Sequence, residues 1–219
     1  MTDFLHSPAK NILVRWLLIT ASLLLFFIVW LVFIAGNITP DEKIFSAVAS
    51  HVTPGRTSFM KAVSFLGSYK FLIPANILII TWLIIRKNKW GAITTAAVAL
   101  SSLGLMSLLK NLIQRQRPDN RLVEGITNFS FPSGHAFMSV AFYGLLAGWA
   151  ITHLKNTWPQ RLFISFLLLL ILFIGFSRIY LRVHYFTDVV GGFCIGIIWL
   201  ITVLVILHKI QVRYNAKKK

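Results

Sequence analysis

RLFISFLLLLILFIGFSRIYLRVHYFTDVVGGFCIGIIWLITVLVILH, residues 161–208, decides the architecture. Its ends, 161–180 and 187–208, are apolar runs of the length a helix needs to cross a bilayer, about 20 residues. Between them stand Ser177, Arg178, His184 and Asp188. Charge at the edge of membrane-spanning sequence is costly and is kept for a reason.

Working outward, comparable runs occupy 13–36, 68–86, 91–113 and 134–154, which makes six spans. The chain of 219 residues is 57% hydrophobic and 13% charged, with a mean hydropathy of +0.74. That balance excludes a soluble domain and a disordered chain. The expected fold is all-α: a polytopic integral membrane six-helix bundle forming one domain, 1–219. Lys10 and Arg15 precede the first span as in a signal peptide, but its long apolar core without a small-x-small cleavage site implies an uncleaved anchor. The net charge of +16 does not indicate nucleic acid, because lysines and arginines flank spans and meet anionic headgroups. Cys194 is the single cysteine, so no intrachain disulfide is possible.

Basic residues in short loops set an orientation. Arg86, Lys87 and Lys89, then Lys155 and Arg161, then Lys209, Arg213, Lys217, Lys218 and Lys219 share one side with Lys10 and Arg15. That side is expected to be the cytoplasm, with both termini there. Pro74 and Asn76 are candidates to kink the second span. Ser101, Ser102, Gly104 and Ser107 give the third a small-residue face. Gly192 and Gly196 form a GxxxG suited to close packing within the bundle. Segment 39–66 is different. Ile44, Phe45, Val48 and Val52, then Phe59, Met60 and Val63, recur at helical spacing around Thr53-Pro54-Gly55. The pattern predicts short amphipathic helices on the outer interface, apolar side toward the acyl region. A plain folded loop is the alternative.

Three polar clusters interrupt the spans: Lys110 with Arg117-Pro118; Pro132-Ser133-Gly134-His135; and Ser177-Arg178 with His184 and Asp188. The first closes span three, the second opens span four, and the third joins spans five and six. Loops 3–4 and 5–6 must open on the same membrane face, so all three clusters meet at one level, opposite the basic tail.

Each cluster has a chemical rationale. Lys110, Arg117 and Arg178 can surround a phosphoryl group and stabilise charge on its oxygens; singly, each could be a snorkelling interfacial cation. Ser133-Gly134 opens a helix, where free N–H groups bind anions; ordinary capping by Ser133 is compatible with that. His184 and Asp188, four apart, can pair across one helical turn, the carboxylate orienting a nucleophilic imidazole. Alternatively, Asp188 caps the helix. His135 follows the anion-binding turn and can serve as general acid and then base.

Together, Lys110-x6-Arg117-Pro118, Pro132-Ser133-Gly134-His135 and Ser177-Arg178-x5-His184-x3-Asp188 resemble the three signature motifs of the type 2 phosphatidic acid phosphatase superfamily. No motif position departs from the pattern. The resemblance covers residues 110–188 directly and, through the six spans, the whole chain. It implies a phosphohistidine at His184 with Asp188 as partner, His135 as proton donor to the leaving group, and phosphate binding by Lys110, Arg117, Ser133, Gly134 and Arg178. It implies no metal and no cofactor. The expected substrate is a membrane lipid phosphate or diphosphate: phosphatidylglycerol phosphate, undecaprenyl diphosphate or phosphatidate. The expected site is the outer face of a bacterial inner membrane, among bilayer lipids and without an obligatory protein partner. Arg115, Arg121 and Arg182 are either further headgroup cations or solvated loop charges. Phosphotransfer to another acceptor and, from another class, an anion transporter or channel are the alternative functions. Clustering of the charges at one surface, with no ionisable row in mid-membrane, weighs against transport.

Overall fold

The structure, a computed structural model, describes residues 8–155 and 157–217, with side chains from residue 12 onward. The side chain of Lys10, and Lys218 and Lys219, lie outside the described residues. In chain order the helices are α1 (Pro8–Val29), extended by a π-helical turn (Trp30–Ile34), α2 (Thr39–Ala49), α3 (Pro54–Phe65), α4 (Tyr69–Ile85), α5 (Lys89–Ile113), α6 (Gly134–His153), α7 (Trp158–Tyr180) and α8 (Phe186–Ala216). The described residues contain no strand. Six helical stretches are long and apolar enough to cross a membrane: Ile12–Ile34, Pro54–Ile85, Lys89–Ile113, Gly134–His153, Trp158–Tyr180 and Phe186–Ala216.

Local sequence explains the boundaries. Pro54 begins α3 behind Thr53, whose side chain accepts from the Arg56 N–H. The Asn88 side chain caps α5 by accepting from the Gly91 N–H at 2.9 Å. At the other end Gln114 turns left-handed, φ +50°, and stops α5. Pro74 sits inside an uninterrupted α4, and α8 runs past residue 208 to Ala216.

Helix α6 is the centre of the bundle. One side packs Val140, Tyr143 and Ala147 on Leu167, Ile171 and Ile174 of α7 and on Leu72 of α4. The other packs Ala141 and Leu145 on Val98 of α5 and on Leu200 and Val203 of α8. Gly192 and Gly196 close α8 onto α6: an added Cβ would meet the Ser133 carbonyl oxygen at 2.7 Å and the Val140 Cβ at 2.9 Å. The expected GxxxG contact is therefore inside the bundle. The outer faces of α1 and α7 leave Leu23, Phe26, Phe166 and Leu169 exposed, as a lipid-facing surface requires.

Segment 39–66 is helical as expected, but its apolar side faces inward. Ile44 and Phe45 pack on Ala136, Ile179 and Val189. Val48, Val52 and Met60 pack on Tyr180, Leu181 and Val183. The expected contact of these residues with acyl chains is corrected: the bundle offers them a closer apolar surface. Tyr180 ties the α2–α3 turn down, donating to the His51 carbonyl at 3.3 Å and accepting from the Thr53 N–H at 3.2 Å.

Candidate functional site

The end of α5, the start of α6, the end of α7 and the start of α8 meet at one end of the bundle. Each brings a polar cluster. Lys110 lies in the last turn of α5 and passes over Gly134, where an added Cβ would sit 3.8 Å from its Cε. Arg178 ends α7. The Ser133 N–H donates to the Asp188 carbonyl at 3.0 Å, joining the entry of α6 to the entry of α8. His135 lies within the electrostatic reach of Arg178, His184, Arg117 and Lys110, so all three clusters converge.

The cations rest on neutral oxygens. Lys110 Nζ donates to the Phe129 carbonyl at 2.5 Å. Arg117 donates to the carbonyls of Asn128 (2.6 Å), Phe129 (3.1 Å) and Val183, and to the Asn128 side chain. Burial lowers its pKa to about 10, which leaves it charged at neutral pH. Arg178 donates to Ser64 Oγ of α3, and its Nε is buried without a partner.

Ser133 is fully buried, and its hydroxyl neither caps α6 nor finds another partner. Capping by its side chain is therefore corrected. The first N–H groups of α6, Gly134 to Ala136, have no intrahelical acceptor because no turn precedes them. An orphaned hydroxyl, free N–H groups and an orphaned guanidinium nitrogen suit an anion rich in acceptor oxygens.

His184 precedes α8 rather than lying in it. Its Nε2 is 3.2 Å from Arg117 Nη1. A guanidinium only donates, so Nε2 presents its lone pair toward the cations and the proton sits on Nδ1. Nδ1 is 3.4 Å from Ser130 Oγ and 3.6 Å from Asp188 Oδ2. Burial, opposed by Asp188, pushes the imidazole pKa down to about 3, which keeps the ring neutral.

Asp188 is fully buried and well supplied with donors: Ser130 Oγ and the Tyr185 N–H (2.9 Å) at Oδ2, and Arg115 Nη1 (2.6 Å) at Oδ1. It is helix cap and imidazole partner at once. Arg115 is not a solvated loop charge. It is buried between Asp188 and Asp41, the latter at 2.9 Å. Arg121 donates to the Ile126 carbonyl, and Arg182 is half-buried in a left-handed turn.

Sequence reasoning missed Asp41, Ser64, Gly67, Asn128, Ser130 and Thr187. Gly67 admits His135, since a Cβ there would lie 3.4 Å from the imidazole Cδ2 and 2.5 Å from Ile174 Cγ2. One signal was present: the chain has only six acidic residues, so an acid at 41 beside the bundle entry needed a partner. Among the described residues no group of three or more His, Cys, Asp or Glu is placed to hold a metal. An apolar cavity of about 320 Å³ lined by Trp82, Thr95, Leu145 and Trp149 lies at the opposite end of the bundle, away from these charges.

Residues 90–211 match the family model of the PAP2 superfamily. The chain is 30% identical to phosphatidylglycerophosphatase B of Bacillus subtilis over 81% of its own length and 89% of that protein. It is 27% identical to the dolichyldiphosphatase of Saccharomyces cerevisiae over 74% of its length and 70% of that protein. The crystal structure of the transmembrane PAP2 type phosphatidylglycerolphosphate phosphatase from Bacillus subtilis superposes with a TM-score of 0.78 at 26% identity, covering 88% of this chain and 96% of that one. A bundle with its polar clusters gathered at one end, matched in sequence and shape to these enzymes, belongs to the PAP2 superfamily, and the chain is a multi-pass membrane lipid phosphatase.

Proposed function

We propose that the protein hydrolyses a lipid phosphomonoester through a phosphohistidine at His184, with phosphatidylglycerol phosphate as the first candidate substrate. The observation that carries this is the orientation of His184, with Nε2 facing Arg117 and Nδ1 facing Ser130 and Asp188. The Nε2 lone pair attacks phosphorus while the bond to the lipid oxygen breaks, and His135, protonated when the bound phosphate dianion offsets the surrounding cations, gives its proton to that oxygen. Lys110, Arg117 and Arg178, with Ser133 and the N–H of Gly134, hold the non-bridging oxygens and take up their growing charge. Neutral His135 then accepts a proton from water, whose oxygen attacks the phosphohistidine. The P–N bond breaks, and Nε2 recovers its lone pair.

The phosphatidylglycerophosphatase relative favours a monoester. So does the engagement of Arg115 by carboxylates, which leaves Lys110, Arg117 and Arg178 for one phosphoryl group. The dolichyldiphosphatase relative keeps polyprenyl diphosphates as the second reading. The whole chain, 1–219, acts as one membrane-embedded unit. Its site faces outward in a bacterial inner membrane, opposite Arg86, Lys87 and Lys89.

A panel of lipid phosphates and diphosphates in detergent, with phosphate release measured in excess EDTA, tests the reading. Release is expected from monoesters first, undiminished by the chelator and inhibited by vanadate, whose trigonal-bipyramidal adduct resembles the in-line transition state. Loss on chelation with recovery in Mg²⁺ would reject the cation-only site. Transfer to an added alcohol with no free phosphate would favour phosphotransfer.

A further inference from the structure

The chemistry above leaves Arg115 and Asp41 without a task, yet with Asp188 they form an enclosed charge network. The Arg115 side chain is 9% exposed, and those of Asp41 and Asp188 are 1% and 0%. Arg115 Nη1 donates to Asp188 Oδ1 at 2.6 Å and to Thr187 Oγ1 at 2.8 Å. Its Nη2 donates to Asp41 Oδ2 at 2.9 Å. The guanidinium carbon stands 4.3 Å from the centre of the Tyr185 ring. Asp41 also accepts from the Thr187 N–H at 2.9 Å and from its hydroxyl at 2.7 Å. One guanidinium thus bridges two carboxylates, one on α2 and one on α8, directly behind His184.

Two consequences follow. The planar fork fixes Oδ1 of Asp188, while Ser130 and the Tyr185 N–H fix Oδ2, so the carboxylate cannot swing away from the imidazole. The network also carries one negative charge in excess. A histidine phosphorylated on Nε2 that keeps its Nδ1 proton carries one positive charge on the ring. The excess stands where that charge appears, in a buried setting where water does not screen it.

We propose that Arg115 and Asp41 are positioning residues for phosphoryl transfer: the Asp41–Arg115–Asp188 chain locks the partner of His184 and balances the charge of the phosphorylated ring. This rests on the reading of His184 as nucleophile. Arg115 is not a headgroup ligand, because turning it to phosphate would strip both buried carboxylates of their cation. Helix α2, which carries no motif residue, becomes part of the catalytic apparatus through Asp41.

The test is steady-state kinetics on one detergent-solubilised lipid phosphate, together with the amount of phosphoenzyme trapped on acid quench. Variants are Arg115→Lys, Arg115→Gln, Asp41→Asn and the double Arg115→Gln/Asp41→Asn, each compared with wild type for melting temperature. Asp41→Asn keeps size and shape, so it stays informative if an Arg115 variant fails to fold. Misplacement of a reacting group by a fraction of an ångström to an ångström costs up to about a hundredfold. The expected result is a kcat lowered about tenfold to a hundredfold with KM unchanged and less phosphoenzyme. Lysine at 115 should rescue poorly, because it keeps the charge without the fork. The double variant should lose less than the product of the single losses. A raised KM with kcat preserved would make Arg115 a headgroup ligand and overturn the proposal. Wild-type kcat and KM in folded variants would reduce the network to scaffolding and overturn it equally. A wild type that forms no phosphoenzyme would instead remove the His184 reading itself, a separate outcome visible before any variant is compared.

Discussion

The two sides of the His184 ring are built differently. On the Nε2 side, Lys110 and Arg117 lean on backbone carbonyls and an asparagine, and Arg178 on a serine. These partners are neutral, and a phosphate dianion is a stronger one. On the Nδ1 side, Asp188 is held by a buried guanidinium that is itself shared with Asp41. Exchanging those partners would leave buried charges uncompensated, which is strongly destabilising, at about 3–5 kcal/mol. In the proposed reaction one side changes partners in each turnover, and the other keeps them.

Substitutions can break or sharpen this contrast. The largest effect belongs to the ring between the sides. His184→Ala should abolish turnover, with a loss of about 10⁴-fold or more, while the protein stays folded in detergent. Substantial residual phosphate release would move the nucleophile elsewhere. On the locked side, Asp188→Asn should cost about 10³- to 10⁴-fold in kcat and also lower the melting temperature, because Arg115 loses a charged partner. On the exchanging side, Arg117→Lys should cost about 10²- to 10³-fold in kcat/KM while stability changes little, since the partners it releases are neutral. Equal stability losses for Asp188→Asn and Arg117→Lys would erase the contrast.

Smaller effects probe the walls. Gly67→Ala forces a methyl toward Ile174 Cγ2 at 2.5 Å and His135 at 3.4 Å, and overpacking of this kind costs about 1–3 kcal/mol. Its melting temperature should fall, and turnover should fall with the displaced His135. Unchanged values would show that the α3–α4 turn yields freely. The smallest effect is in pH. His184 has a folded pKa near 3 against about 6.5 unfolded. Between those values the unfolded chain takes a proton that the folded one refuses, so stability drops as pH falls through that window. Wild type should lose more melting temperature between pH 7 and pH 5 than His184→Asn does. Parallel curves would mean that His184 is not held neutral.

What was legible in the sequence follows the same divide. Six spans were legible because apolar runs of membrane length have few other uses, and His184, His135 and Arg178 because polar groups at their edges are conspicuous. The exchanging side sits in short motifs with fixed internal spacing. The groups that hold Asp188 and Arg178 in place do not: Asp41 lies 74 residues from Arg115 and 146 from Thr187, and Ser64 lies 114 from Arg178. No periodicity links such pairs; only the seating of α2 and α3 on α7 and α8 does. The same seating explains why Ile44 and Val48 face the bundle although their spacing fits a lipid-facing helix equally well. Arg115 stands two residues from Arg117, and nothing local separates a buried ion pair from a free loop charge.

The most direct test is to mix purified protein with a radiolabelled lipid phosphate and quench it within one turnover. Wild type should carry a phosphoryl label that is labile in acid, stable in base and located at His184, and His184→Ala should carry none. Turnover by wild type with no such label, or a label on another residue, would contradict attack by His184 and with it the division of labour between the two sides of its ring.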